Sequence, residues 1–484
     1  MDLLYIHAMT RGTFVAALFV AAACTSWPQI SPGRLAVVRL GDGGGLTSAG
    51  AAVRLIAIDK ATGDVFLPES IDITYDGTTG LVLTGNTTGE GSLSTLRTTT
   101  GAFAFISGYP AFVGTGSLTT SPTKRVTRVR YFNGAMVDQD LALAGQARSA
   151  VSLTGLDFYF STGTVGVNAG SFGSGATTSQ STETNTRFLE TWQGRAYFST
   201  ASGGNNLVRE AVQGGGGPVL LSTGAAVLIA DFEIARDGLT LYVASDSTTA
   251  GGIYRYSRPS LTSAWDSGTR LTTQPVRYLA LEEAAGQHNL FACFKSSTRN
   301  DVEGFFNTKT ATSLSPAWTI TPPGAFGYAG LDLVQSPLAL VSGTLVLEGF
   351  EPSTAAQPVL VEVIQGGGVV ESLQTALGTG DTFSFTAESE GSATLRFSFR
   401  TGLRKGVPVD LAQSPISGLQ VTLLNGDCDG DNEVAIGDFA LVSASFGREV
   451  GDPGYDEHAD LNGDGSVDIG DFALLSGNFG QIGD

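Results

Sequence analysis

One twelve-residue acidic pattern occurs twice near the C-terminus, and it constrains that end of the chain more tightly than any other feature. The first copy reads Asp427-Cys-Asp-Gly-Asp-Asn-Glu-Val-Ala-Ile-Gly-Asp438, and the second reads Asp460-Leu-Asn-Gly-Asp-Gly-Ser-Val-Asp-Ile-Gly-Asp471. Each runs into Phe-Ala-Leu and then a Phe-Gly pair, Phe446-Gly447 and Phe479-Gly480. Equivalent positions are offset by about 33 residues, and repetition at a fixed offset marks one structural unit used twice.

Oxygen-bearing residues at loop positions 1, 3, 5, 7, 9 and 12 can wrap a cation that takes six to eight hard ligands. In the first copy these are Asp427, Asp429, Asp431, the carbonyl of Glu433, Ala435 through water, and Asp438. In the second they are Asp460, Asn462, Asp464, the carbonyl of Ser466, Asp468 through water, and Asp471. Two Ca2+ ions are expected. Position 6 must turn with positive φ, which suits Gly465 and, at some cost, Asn432. Val434 and Val467 at position 8 are expected to pair the two loops across a short β bridge. Phe439, Val442 and Phe446, like Phe472, Leu475 and Phe479, fall at i, i+3 and i+7, so each loop should be followed by a helix with one apolar face. A merely solvated acidic tail would not keep its acids in register.

The formal charge of −19 is concentrated in this region, which carries about two thirds of it. Nothing basic is arranged for a polyanion, so nucleic acid is excluded as a partner. Three cysteines, Cys24, Cys293 and Cys428, imply no disulfide framework. Residues 1–26 read as a signal peptide. Arg11 precedes a short apolar run ending at Ala21-Ala22-Ala23, too short to span a bilayer, and Met9 is an alternative start. The protein is therefore expected to be secreted or at the cell surface, with lipidation of Cys24 the lesser alternative. No later stretch is apolar enough to span a membrane.

Between these ends the 65 glycines and the many Ser and Thr favour strands and tight turns. In residues 34–336 a Gly-led aromatic run recurs at Gly101, Gly155, Gly194, Gly238 and Gly286, with spacings of about 54, 39, 44 and 48 residues; weaker copies stand at Gly63 and Gly330. Several short strands per unit at such a spacing predict a six- or seven-bladed β-propeller, against a sandwich or solenoid. Residues 337–424 alternate apolar and polar around Gly366-Gly-Gly368, and five to seven short strands predict an Ig-like β-sandwich. The fold class is thus mainly β, ending in a small α-helical unit at 425–484.

The two loops, with Asp at position 12, no preceding helix and matching exit helices, resemble type I dockerins over about Gly426 to Gly480. That resemblance implies two calcium ions and a cohesin-like partner, or else attachment to a neighbouring surface module. Clostridial dockerins often carry Ser or Thr at positions 10 and 11, where this chain has Ile436-Gly437 and Ile469-Gly470. Internal packing of that apolar pair, or docking onto the sandwich, is the competing expectation. Residues 34–336 resemble propeller-like regions of secreted bacterial proteins, and 337–424 resembles carboxypeptidase-regulatory-like modules.

The expected function is a non-catalytic exported binding or display protein. The alternative is a dockerin-tethered glycoside hydrolase or polysaccharide lyase acting on polysaccharide, since many dockerins tether such enzymes. The three histidines, His7, His288 and His458, form no hydrolase or zinc motif. A glycosidase would need two facing carboxylates, and Asp231, Glu233, Asp237, Asp246, Glu282 and Glu283 are the candidates.

Overall fold

The computed structural model describes residues 29–41, 46–74, 80–85, 89–202, 205–284, 286–294, 301–324 and 326–484. The expected leader, with Cys24 and His7, lies outside them. The protein is mainly β, and its two α-helices among the described residues, α1 (Ile436–Ser445) and α2 (Ile469–Asn478), both follow the acidic loops. No helix among the described residues is long and apolar enough to cross a membrane.

Up to Val334 the strands among the described residues form six antiparallel sheets. Four are simple four-stranded meanders covering 147–181, 186–222, 229–270 and 278–320. A fifth is built around the long strand Gly101–Ala111, which pairs with Leu93–Thr98 along its first half and with Gly80–Thr84 along its second. The sixth joins the two ends of this region. Gly327–Val334 pairs with Arg34–Leu40, in register from Arg34↔Val334 to Leu40↔Gly327, and Val53–Asp59 and Val65–Asp72 follow. The first strands of successive sheets pack on one another: Leu93–Thr98, Ala147–Val151, Thr186–Trp192, Ile229–Ile234, Tyr278–Ala284 and Gly327–Val334, the last meeting Leu93–Thr98 again. Apolar layers such as Phe188, Phe232 and Leu241 fill the spaces between sheets.

Four of the Gly-led aromatic runs become second strands of their meanders, and the run at Gly101 becomes the long strand that follows Leu93–Thr98. In Asp157–Thr162 the alternation carries Phe158 and Phe160 into the core while Tyr159 stays half-buried. The stretch around Gly238 forms the hairpin expected of it, Thr240–Ser245 pairing with Gly252–Ser257. The sixth copy, however, is neither Gly63 nor Gly330. Gly63 turns between the third and fourth strands of its sheet, and Gly330 lies inside a first strand, its N–H bonded to the Gly91 carbonyl at 2.6 Å. The true equivalent is Gly33 (φ 81°), just before Arg34–Leu40. Its spacing was obscured because the preceding strand in space comes from the far end of the sequence.

Residues from Ala339 to Leu423 form two further sheets. One has the order Thr382–Ala387, Ala339–Leu347, Ile416–Leu423, and its last pair is parallel. The other has the order Gly368–Ala376, Pro358–Gln365, Ser392–Ser398, Lys405–Asp410. Phe383, Phe385 and Phe397 meet between the sheets in a core with Val361 and Leu395. The two strands with weak sequence signals are the edges of the second sheet. Gly368–Ala376 is half-buried on one face only, where Leu373 meets the core, and Lys405–Asp410 contains Pro408, which an edge strand tolerates.

Candidate metal centre

Both loops are drawn tight by their own carboxylates. In the first, Asp427 Oδ2 accepts the Asn432 N–H (3.0 Å), Asp429 Oδ1 that of Asp431 (3.2 Å), and Asp431 Oδ1 that of Glu433 (2.9 Å). Asp438 reaches back from the first turn of α1 to accept the N–H groups of Cys428, Asp429 and Ala435. The second loop repeats the scheme. Asp460 accepts from Gly463 and Gly465, Asn462 from Asp464, Asp464 from Ser466, and Asp471 from Asn462 and Asp468. Positive φ falls where expected, 73° at Asn432 and 92° at Gly465. Asp468 is the N-cap of α2, accepting the Gly470 N–H at 2.7 Å; Ala435 at the equivalent position has no side-chain oxygen to offer.

Carboxylate oxygens of Asp427, Asp429 and Asp431 lie within 4.8 Å of one another. Asp427 Oδ1 is buried and accepts no hydrogen bond, which leaves a lone pair for a cation. Burial lifts the Asp427 carboxyl above its ordinary range; N–H groups of Asn432 and Gly430 oppose the shift, and Asp438 and Asp431 add to it. Burial likewise raises Asp471, and it raises the Cys428 thiol, which the surrounding aspartates also disfavour as a thiolate. Such a donor set, all oxygen and rich in carboxylate, fits a hard divalent cation.

Val434 and Val467 are both fully buried but do not pair with each other. Each loop bridges to the segment that follows the other loop's helix. Val434 exchanges hydrogen bonds with Gly480 and Gln481, and Val467 with Gly447 and Arg448. The swap makes the two copies interdependent. The apolar helix face is also narrower than its periodicity implied. Val442 and Leu475 are buried, whereas Phe439, Phe446, Phe472 and Phe479 are exposed, Phe439 meeting Phe472 edge-on at 6.1 Å. Internal packing or sandwich docking of the position-10 isoleucines is ruled out, since Ile436 and Ile469 are 72% and 68% exposed. At position 11 of the first loop a Cβ on Gly437 would overlap Asp429 Oδ2.

Sequence reasoning missed the residues that seat this unit on the sandwich. Asn425, fully buried, donates to the carbonyls of Glu348 (3.0 Å) and Leu461 (2.7 Å), and Asn478 donates to Glu348 Oε2 (2.6 Å). Phe350 and Pro352 lie against Gly463, and the Glu351 N–H donates to the Asn462 carbonyl. Nothing in the local sequence marks Asn425, just before the first loop, or Asn478, the last residue of α2, as such contacts.

The carboxylates weighed as a catalytic pair are mostly engaged. Asp237 caps a turn at Leu239, Asp246 bridges Arg187 and Arg277, Glu282 pairs with Lys60, and Glu283 accepts the Arg236 N–H. His288 bonds Tyr242 and is pushed down to about 4 by burial; His458 sits beside Asp456. Asp231 and Glu233 instead share the mutually packed first strands of the sheets, hereafter the inner strands, with two acids the sequence did not single out, Glu190 and Asp332. Desolvation, then mutual repulsion, raises Glu190 to about 8 and lifts Glu233. Asp231 rises by desolvation despite N–H groups from Leu279 and Phe232, and desolvation brings Asp332 to about 6.

The family model described as the dockerin type I domain matches residues 425–479. No curated protein matches the chain. Among solved structures, the chain is similar to an interface mutant of a type II cohesin–X–dockerin complex from Acetivibrio cellulolyticus, at 20% identity over 30% of this chain and 97% of that one, with a TM-score of 0.26. It is also similar to a nidogen/laminin complex (10% identity, 63% and 99% covered, TM-score 0.42). A putative 6-phosphogluconolactonase from Bacteroides fragilis is a third (7% identity, 80% and 97% covered, TM-score 0.38). The duplicated loops, their exit helices and the family match together make the C-terminal segment of this protein a type I dockerin-like domain.

Proposed function

We propose that this is an exported, non-catalytic modular protein that attaches to a cohesin-like partner through a C-terminal domain stapled by two calcium ions. The ligands are Asp427, Asp429, Asp431, Glu433 and Asp438 in one loop, and Asp460, Asn462, Asp464, Ser466, Asp468 and Asp471 in the other. Residues 34–336 act as a six-bladed propeller that binds or displays, 337–424 as a sandwich spacer, 425–484 as the attachment unit, and 1–26 as the leader. The round of first strands, returning from Gly327–Val334 to Leu93–Thr98, supports the propeller reading.

The observation that carries attachment is the twofold presentation of bare apolar side chains, Ile436, Phe439 and Phe446 on one copy and Ile469, Phe472 and Phe479 on the other. Titration of the full chain with recombinant type I and type II cohesin modules, with calcium and with chelator, tests this. Calcium-dependent binding abolished by Ile436→Asp with Ile469→Asp is expected. Absence of binding to every cohesin would overturn it.

The inner-strand acids favour a second reading, a dockerin-tethered carbohydrate-active enzyme. Polysaccharide hydrolysis lost in Glu190→Gln or Glu233→Gln would support it over the first.

A further inference from the structure

A second charged site lies far from the acidic loops, in a protein whose net charge is strongly negative. Arg148 is the second residue of the inner strand Ala147–Val151, Arg187 the second of Thr186–Trp192, and Arg277 directly precedes Tyr278–Ala284. Arg187 and Arg277 both bind Asp246, with Arg187 Nη1 at 2.8 Å from Oδ1 and Arg277 Nη2 at 2.6 Å from Oδ2. One carboxylate thus serves two guanidinium groups, and the third guanidinium of the cluster makes no bond to it.

Arg148 is that third. Its side chain makes no hydrogen bond or ion pair among the described residues, and its Nε is buried without a partner, as are the Nε atoms of Arg187 and Arg277. Glu90, an acid whose field reaches Arg148, is buried and already engaged through both oxygens. Thr84 occupies one oxygen; Tyr109 and Gln146 occupy the other. Burial disfavours the Arg148 charge, and Arg187 disfavours it further; Tyr278 offsets this, Arg277 adds to it, and Glu90 compensates weakly. The guanidinium is nevertheless built into place. It lies against Gly89, where a Cβ would overlap Nη1, and against Gly163, where one would stand 3.4 Å from Nε and Nη2.

A half-buried guanidinium with its Nε shut off from water and no ion pair is costly unless an anion neutralises it. Its planar fork is the shape that receives an oxyanion through two parallel hydrogen bonds. We propose that Arg148, flanked by Arg187 and Arg277, is a receptor for the oxyanion group, carboxylate or sulfate, of a small ligand entering where the inner strands begin. The acids Glu190, Glu233 and Asp332 lie further along the same set of strands, so the arginines and the acids occupy different parts of the round.

Isothermal titration of the full chain, in calcium and at matched ionic strength, tests this with sodium sulfate, sodium glucuronate and sodium chloride. Saturable binding of sulfate or glucuronate over chloride is expected, and whichever binds identifies the source of the oxyanion. Arg148→Gln should weaken it by at least about tenfold. Arg148→Lys, which keeps charge and bulk but loses the fork, should also lose about tenfold and serves if the glutamine variant does not fold. Binding no stronger than chloride, or unchanged in Arg148→Lys, would overturn the proposal.

Discussion

The side-chain oxygen of Asn432 accepts the Arg404 N–H at 2.8 Å, so the sixth residue of the first acidic loop is tied directly to the sandwich. The second copy has Gly465 there, and asparagine at φ 73° is the more strained choice. The strain is offset by the tether, which Gly483 completes by donating to the Asn432 carbonyl. Asn432→Gly is expected to relax the backbone but lower the calcium-loaded stability of the C-terminal unit by about 1 kcal/mol. Asn432→Ala should lose about 2 kcal/mol, because it keeps the strain and drops the bond. Calorimetry of both variants in calcium checks the order; a more stable Asn432→Gly would contradict it.

The two position-11 glycines should respond differently to the same change. A Cβ on Gly437 overlaps the Asp429 carboxylate, whereas one on Gly470 stands 3.1 Å from Asn462 Nδ2 and 3.2 Å from Asp468 Oδ1. Gly437→Ala is expected to weaken calcium at the first loop by roughly tenfold or more, since it displaces a proposed ligand. Gly470→Ala should cost only a few-fold. Calcium titrations of the two variants distinguish them.

Nine carboxylates gathered in two loops repel one another unless a cation intervenes, so metal binding and folding of this unit should be coupled. Addition of calcium to chelated protein is expected to increase far-ultraviolet circular dichroism at helical wavelengths, through α1 and α2. No gain in helix would count against it. The swapped pairing of Val434 with Gln481 and of Val467 with Arg448 adds a sharper expectation. Asp427→Ala in the first loop should also loosen the segment after α2, as hydrogen exchange at Gly480 and Gln481 would report.

The inner-strand acids give the six-sheet region its own pH dependence. Glu190 is raised to about 8 and Asp332 to about 6, Asp231 and Glu233 move in the same direction, and Glu283 adds to the repulsion at Glu233. A carboxyl whose folded pKa exceeds its unfolded value contributes stability that is complete below the unfolded pKa, near 4, and is lost as pH rises through the folded value. The melting temperature of this region should therefore fall between about pH 5 and 8. Glu190→Gln should flatten that slope, and a melting temperature rising over this interval in the native protein would refute the sign.

The expected elements follow from local patterns where those patterns are strictly local. Phe158 and Phe160 alternate into a core, Gly238 turns a hairpin, and Asp438 and Asp471 close their loops because twelve residues suffice to bring first and last together. The sixth strand unit at Gly33 was not legible, since its partner Gly327–Val334 lies almost the whole region away in sequence. Glu190 and Asp332 escaped notice for the same reason: nothing in sequence brings these acids to neighbouring inner strands.

The sequence by itself determined the duplicated calcium-type loops, their two exit helices and the predominance of strands, because periodicity, turn residues and ligand spacing act over a dozen residues or fewer. Only the tertiary structure decided which apolar side chains stay bare, that each loop pairs with the tail of the other, and that Arg148 is left without a carboxylate. Those outcomes depend on how distant segments share hydrogen bonds and charge, as Asp246 does between Arg187 and Arg277, and no local pattern encodes that allocation.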